Sequence, residues 1–145
     1  RALYKALAKP NYIHFSCHGI YDAVDPNRSS LQLSDGQLSV LDILNLKLDT
    51  DLITLSACES GLGVKAGDEV INFPGAFLLA GASSVLSTLW QVNPESSMHF
   101  MENFYNQLGQ GSSKTEATKA AMDASVDRYN HPYHWAAFTL NGSWK

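Results

Sequence analysis

Charge is scarce in this chain. Asp, Glu, Lys and Arg make up 17% of its 145 residues, against roughly 25% in an average globular domain. A surface so poor in charge implies that part of it is covered, by a partner or by another part of a longer polypeptide. No basic run exists, and 10 basic residues against 14 acidic ones leave a net charge of −4. Nucleic acid and anionic membranes are therefore excluded as expected direct partners, because both need clustered cations. Cysteine is scarce too. Two cysteines do not make the disulfide framework of a small secreted domain, and the expected location is cytoplasmic. Internal repeats and low-complexity segments are absent. The first residue is Arg1 rather than Met, so a fragment or a processed piece of a longer protein is expected. A long uncharged stretch does run from Val70 to Pro94. Pro74, Gly75, Gly81, Ser83, Ser84, Ser87 and Thr88 divide it into a buried helix, a turn and a buried strand, which argues against a membrane span.

What the chain does have is hydrophobic mass, 45% of residues, enough for one domain over 1–145 with a real core. Tyr12 to Cys17 reads as a strand ending in a turn at His18-Gly19. Asp22 to Ser30 is loop chemistry. Leu31 to Ser39, turning at Asp35-Gly36, reads as a small hairpin, followed by a short helix over Ser39 to Leu46. Leu52 to Ala57 is a continuous apolar strand that runs into the glycine-rich loop Glu59 to Gly63. A helix over Asp68 to Ala80 and a strand over Ser84 to Trp90 follow. Two further helices are predicted: Pro94 to Leu108, with Met98, Met101, Phe104, Tyr105 and Leu108 at core spacing, and Lys114 to Tyr129, capped by Ser113 with Glu116 in its first turn. Trp135 to Leu140 closes as a strand. Strands alternate with helices and lack polar alternation, which predicts an α/β domain with a mostly parallel sheet covered by helices.

Two strand ends carry chemistry. One is Cys17-His18-Gly19, the other Ala57-Cys58-Glu59-Ser60-Gly61. In open parallel sheets, sites form beyond the carboxyl ends of the strands, so adjacent strands would bring His18 and Cys58 to one edge. A thiol needs a base or a cation beside it to become a thiolate near neutral pH, and His18 supplies it. An oxyanion needs backbone N–H donors; Gly19 and Cys58 offer them. Each residue also has a bland reading, since a cysteine at a strand end is usually a small buried hydrophobe and a histidine there a satisfied structural group. His14 reads as structural, or as a hydrogen-bond supporter of the site, on the face shared with Ser16 and His18. Cys17 faces the other way and reads as a core thiol. A zinc set of His14, Cys17, His18 and Cys58 is split across two faces, so no metal is expected. Gly61-Leu62-Gly63 lacks the third glycine and the Lys-Ser pair of a phosphate loop.

The runs His14-Phe15-Ser16-Cys17-His18-Gly19 and Leu55-Ser56-Ala57-Cys58-Glu59-Ser60-Gly61 resemble the CHAT family of caspase-like cysteine peptidases, related to caspases and separase. The match continues, in order, through Phe77 to Ala82, Leu89-Trp90-Gln91-Val92, Phe104-Tyr105 and His131 to Phe138. The resemblance implies a caspase–hemoglobinase fold, a three-layer sandwich whose N-terminal strands are missing here, so that 1–145 is the C-terminal part of such a domain. It implies a Cys-His dyad with His18 as base and Cys58 as nucleophile, an oxyanion hole at the amides of Gly19 and Cys58, and endopeptidase activity on protein substrates through a thioester, without a cofactor. It further implies upstream tetratricopeptide-like repeats in the same parent chain. The alternative on the same fold is a non-catalytic signalling or interaction module. One departure concerns specificity. Where relatives often carry Asp after the Leu-Trp-x-Val run, this chain has Asn93, Pro94 and Glu95. Substrate-binding candidates are therefore Asn93, Glu95 and Asp68, with one acid expected to remain in the pocket.

Overall fold

The strands without polar alternation form the centre of the sheet. The structure, a computed structural model, describes residues 11–20, 22, 24–56 and 72–145. Strands β5 (Thr50–Ser56) and β6 (Ala82–Thr88) pair in parallel. Both are buried at most positions. Strand β1 (Tyr12–Ser16) adds in parallel to β5, and β7 (Phe138–Gly142) adds antiparallel to β6. The order is β1-β5-β6-β7, a mostly parallel sheet as expected.

Helices cover both faces, which makes three layers. On one face Ile53, Leu55 and Val85 pack with Ile43 of α1 (Val40–Leu44) and Phe77 of α2 (Phe73–Leu79). On the other, Leu52 and Leu86 pack with Phe100 and Phe104 of α3 (Pro94–Gly109) and Ala117 and Ala121 of α4 (Lys114–Arg128). Odd and even residues of the strands part to opposite faces because the side-chain period of a strand is two. Phe100 stacks on Phe138 with ring centroids 3.7 Å apart, which ties α3 to β7. Lys114, 5% exposed, pairs with Asp51 at 2.7 Å at the start of β5. Gly81, at φ +111°, turns the chain into β6, and a Cβ there would meet the Leu48 carbonyl; only glycine takes that conformation freely.

Beyond β1 the chain leaves the parallel sheet. Cys17 is a bend, and β2 (His18–Ile20) pairs antiparallel with β3 (Ser30–Leu33), which pairs with β4 (Gly36–Ser39). The expected hairpin at Asp35-Gly36 is present. The expected turn at His18-Gly19 is not: those residues start a strand of a second, three-stranded sheet. Their three-residue length gave no periodicity to read.

Helix boundaries follow their caps. The Asn72 side chain accepts the Gly75 N–H from an extended backbone and Pro74 lies in the first turn, so α2 begins at Phe73. Residues 68–71 of the expected helix over Asp68 to Ala80, Asp68 included, lie outside the described residues. Ser113 and Glu116 form a reciprocal capping box at α4, as their spacing predicts. The last strand starts at Phe138 rather than Trp135, because Pro132–His134 wind into a single 3-10 turn. Among the described residues no helix is long and apolar enough to cross a membrane.

Candidate active site

The carboxyl ends of β1, β5 and β6 open onto a cavity of about 560 Å³. His14 and Ser16 line it from β1, Cys17 from the bend after it, His18 from the start of β2, Ser56 from β5 and Thr88 from β6. The opposite wall is the start of α3, with Val92, Pro94, Met98 and Met101. The cavity lies beyond the carboxyl ends of the strands, the edge where a site is expected in a parallel sheet.

His18 opens β2, is exposed, and lines the cavity. Gly19 follows it in β2, opposite Leu31. Cys58 lies outside the described residues, as does Asp68. The register of its strand is nevertheless fixed. Ser16 is the partner of Ser56 in the parallel pairing of β1 with β5, and His18 and Cys58 each follow those partners by two residues in the sequence.

Cys17 has a free thiol that packs against the first hydrophobic cluster and also borders the cavity. The core-thiol expectation holds for its packing, and the structure adds a second role as cavity wall. Burial pushes its pKa up, because desolvation penalises a thiolate.

His14 shares the cavity with His18 and has found a partner that the sequence does not signal. Its Nδ1 lies 2.8 Å from the Tyr105 hydroxyl, which donates to Thr54 Oγ1 at 2.9 Å. With the phenol proton given to Thr54, the Nδ1–H of His14 is the donor. Burial lowers the pKa of this imidazole, consistent with a neutral ring. A second link crosses the cavity floor, where Ser56 Oγ and Ser97 Oγ are 3.4 Å apart.

Two of the three expected substrate-binding residues, Asn93 and Glu95, lie at the start of α3. Asn93 caps α3: its side-chain oxygen accepts the Glu95 N–H at 2.9 Å. The Glu95 carboxylate accepts from Arg128 at 3.0 Å, with both side chains exposed. Neither Asn93 nor Glu95 is among the residues lining the cavity. Met98, expected in the helical core stripe, is 59% exposed, whereas Met101 and Phe104 are buried. Met98 lines the cavity beyond the strand ends instead of packing in the core. Among the described residues no three His, Cys, Asp or Glu side chains are grouped to hold a metal ion.

Comparison with known proteins follows this geometry. The family model of the CHAT domain matches residues 1–143. Tetratricopeptide repeat protein 28 of mouse (Mus musculus) is 36% identical over 108 residues, 73% of this chain and 4% of the relative; the human (Homo sapiens) protein of the same name matches equally. The chain thus spans a small fraction of the length of these relatives. Among solved structures, the separase of the Saccharomyces cerevisiae separase–securin complex superposes with a TM-score of 0.69 at 19% identity, over 97% of this chain and 9% of that one. The Arg-specific cysteine proteinase gingipain R superposes with a TM-score of 0.73 at 14% identity, over 99% of this chain and 34% of that one. At such identities the likeness is one of fold, and it is the caspase-like fold that the motifs imply. The chain belongs to the CHAT domain family.

Proposed function

We propose that this domain is a cysteine endopeptidase that uses His18 and Cys58. The observation that carries the reading is the register of β1 on β5, Ser16 opposite Ser56, together with the presence of His18 and Ser56 in one cavity. His18 and Cys58 follow the paired ends of two neighbouring parallel strands in the sequence, which supports a site shared by both. The raised pKa of Cys17 further supports Cys58 as the nucleophile, since a desolvated thiol is a poor source of thiolate at neutral pH.

In this reading His18 takes the Cys58 proton, and the thiolate attacks the scissile carbonyl carbon. The backbone N–H groups of Gly19 and Cys58 stabilise the oxyanion. His18 then protonates the leaving amine as the C–N bond breaks, which leaves a thioester. Water, deprotonated by His18, cleaves the thioester and releases the acid and the thiol. The substrate is a protein. The parent chain carries tetratricopeptide repeats, as in the relatives it matches, and works in the cytoplasm, where the free Cys17 thiol is stable in its reduced form.

The test is proteolysis by the full-length parent protein. Cys58→Ala and His18→Ala each abolish cleavage, while Cys17→Ala retains most of it. Cleavage that survives Cys58→Ala and is lost with Cys17→Ala would reverse the assignment. Absence of cleavage by the wild type would leave a non-catalytic interaction module, and cleavage indifferent to all three substitutions would refute the dyad.

A further inference from the structure

The two ends of the cavity differ in chemistry. The β1 end has two imidazoles, His14 and His18, and the Ser16 hydroxyl. The α3 end is mainly apolar, made by Val92, Pro94, Met98 and Met101, with the uncharged Gln91 and Ser97 beside them. No Asp, Glu, Lys or Arg is among the described residues that line it. We propose that the substrate side chain flanking the scissile bond is apolar, and that Met98 sets this preference from the α3 end of the cavity. The inference rests on the peptidase reading above and names the substrate class for that site.

Three observations bear on it. First, Met98 is 59% exposed and Met101, one turn further along the helix, is only 7% exposed. The pair presents a thioether surface that loses water when an apolar side chain docks on it. Methionine is unbranched and adapts its shape, so the wall suits several apolar residues rather than one. Second, the acid nearest in sequence is already engaged. Glu95 pairs with Arg128 at 3.0 Å on the outer side of the first turn, and the Asn93 side-chain oxygen accepts the Glu95 N–H. Third, Pro94 brings the N-terminal end of the 16-residue helix α3 to the cavity. That end carries partial positive charge, which disfavours a lysine or arginine side chain. A cationic residue seated there would be desolvated without a counter-charge from this wall. The cavity volume, about 560 Å³, seats a short stretch of peptide, so a residue held against Met98 lies close to the bond presented to His18.

The experiment uses the full-length parent protein and a peptide library randomised on both sides of the cut, with products identified by mass spectrometry. Wild type enriches Leu, Met, Phe and Val beside the cut over Arg, Lys, Asp and Glu. Met98→Asp places a carboxylate on the wall at an exposed position that the fold does not need, and raises the ratio of cleavage beside Lys and Arg to cleavage beside Leu by about tenfold or more. Met98→Ala raises KM for the best apolar peptide several-fold and changes kcat little, as expected for lost ground-state contact. A wild-type preference for a charged residue overturns the proposal, as does a profile unchanged by Met98→Asp. If such a charged preference disappears with Cys58→Ala, the peptidase reading stands and only this inference falls. If no peptide is cut and Cys58 takes no peptidyl electrophile, both fall together.

Discussion

His14 shows how much a single residue's surroundings decide. In the sequence it lies four residues before His18, on the same face of a strand, and either a structural or a supporting role fits. The structure gives it Tyr105, 91 residues away, in a helix whose spacing reads simply as a core stripe. No local pattern signals such a pair, because α3 packing, and not sequence distance, brings the phenol to β1. Replacing Tyr105 by Phe takes a hydroxyl from both His14 and Thr54, and equilibrium urea unfolding is expected to show a loss of about 1 kcal/mol. The lowered pKa of His14 also has a consequence for pH. A histidine harder to protonate in the native state than in the unfolded one stabilises the fold relative to acid conditions. Its effect is nil above its ordinary value of 6.5 and becomes a loss of stability as pH falls below that value. Thermal unfolding between pH 7 and pH 5 is expected to show a weaker pH dependence in His14→Asn than in wild type. An identical dependence would contradict the neutral His14 assignment.

At the scale of elements, the Ser113 cap of α4 is legible in the sequence and the Asn72 cap of α2 is not. Ser113 and Glu116 mark the start of α4 in the sequence, and the reciprocal hydrogen bonds are present. Ser113→Ala is expected to lower stability by about 1 kcal/mol in denaturant unfolding. The same bonds hold the Glu116 carboxyl below its ordinary pKa of 4.5, so their contribution is present above that value and fades as pH falls below it. Gly81 is a comparable case at the start of β6. Its positive φ and the Leu48 carbonyl beside it predict that Gly81→Ala costs more than about 1 kcal/mol. Strand β2 escaped sequence reasoning because three residues show no period, and its partner β3 lies across a loop. Met98 escaped it for another reason. Helical spacing gives the face of a helix, but it does not say where the sheet beneath that face ends.

For the whole molecule, the class of fold follows from strands that lack polar alternation, and the burial of β5 and β6 beneath helices on both faces explains it. The antiparallel direction of β7 and the addition of β2 to the β3–β4 hairpin carry no such signature and are visible only in the structure. The stack of Phe100 on Phe138, with centroids 3.7 Å apart and both rings buried, joins the second helical layer to the edge of the sheet. Phe100→Ala is expected to cost about 3–5 kcal/mol, read from chemical unfolding, because the cavity it leaves cannot collapse between a helix and a strand. The expected site residues follow the ends of β1 and β5 in the sequence. The pairing of Ser16 with Ser56 aligns those two ends, and a register cannot be read from either strand alone.

The central claim is that His18 activates Cys58, and thiol reactivity tests it without any knowledge of the substrate. Alkylation of the full-length protein by iodoacetamide, followed at the Cys58 peptide by mass spectrometry over pH 5 to 10, reports the thiolate fraction. A Cys58 paired with His18 is expected to react with an inflection well below the free-thiol value of about 8.5, and His18→Ala is expected to return the inflection to that value. A Cys58 profile that already follows a free thiol in the wild type, and does not change in His18→Ala, would contradict the account.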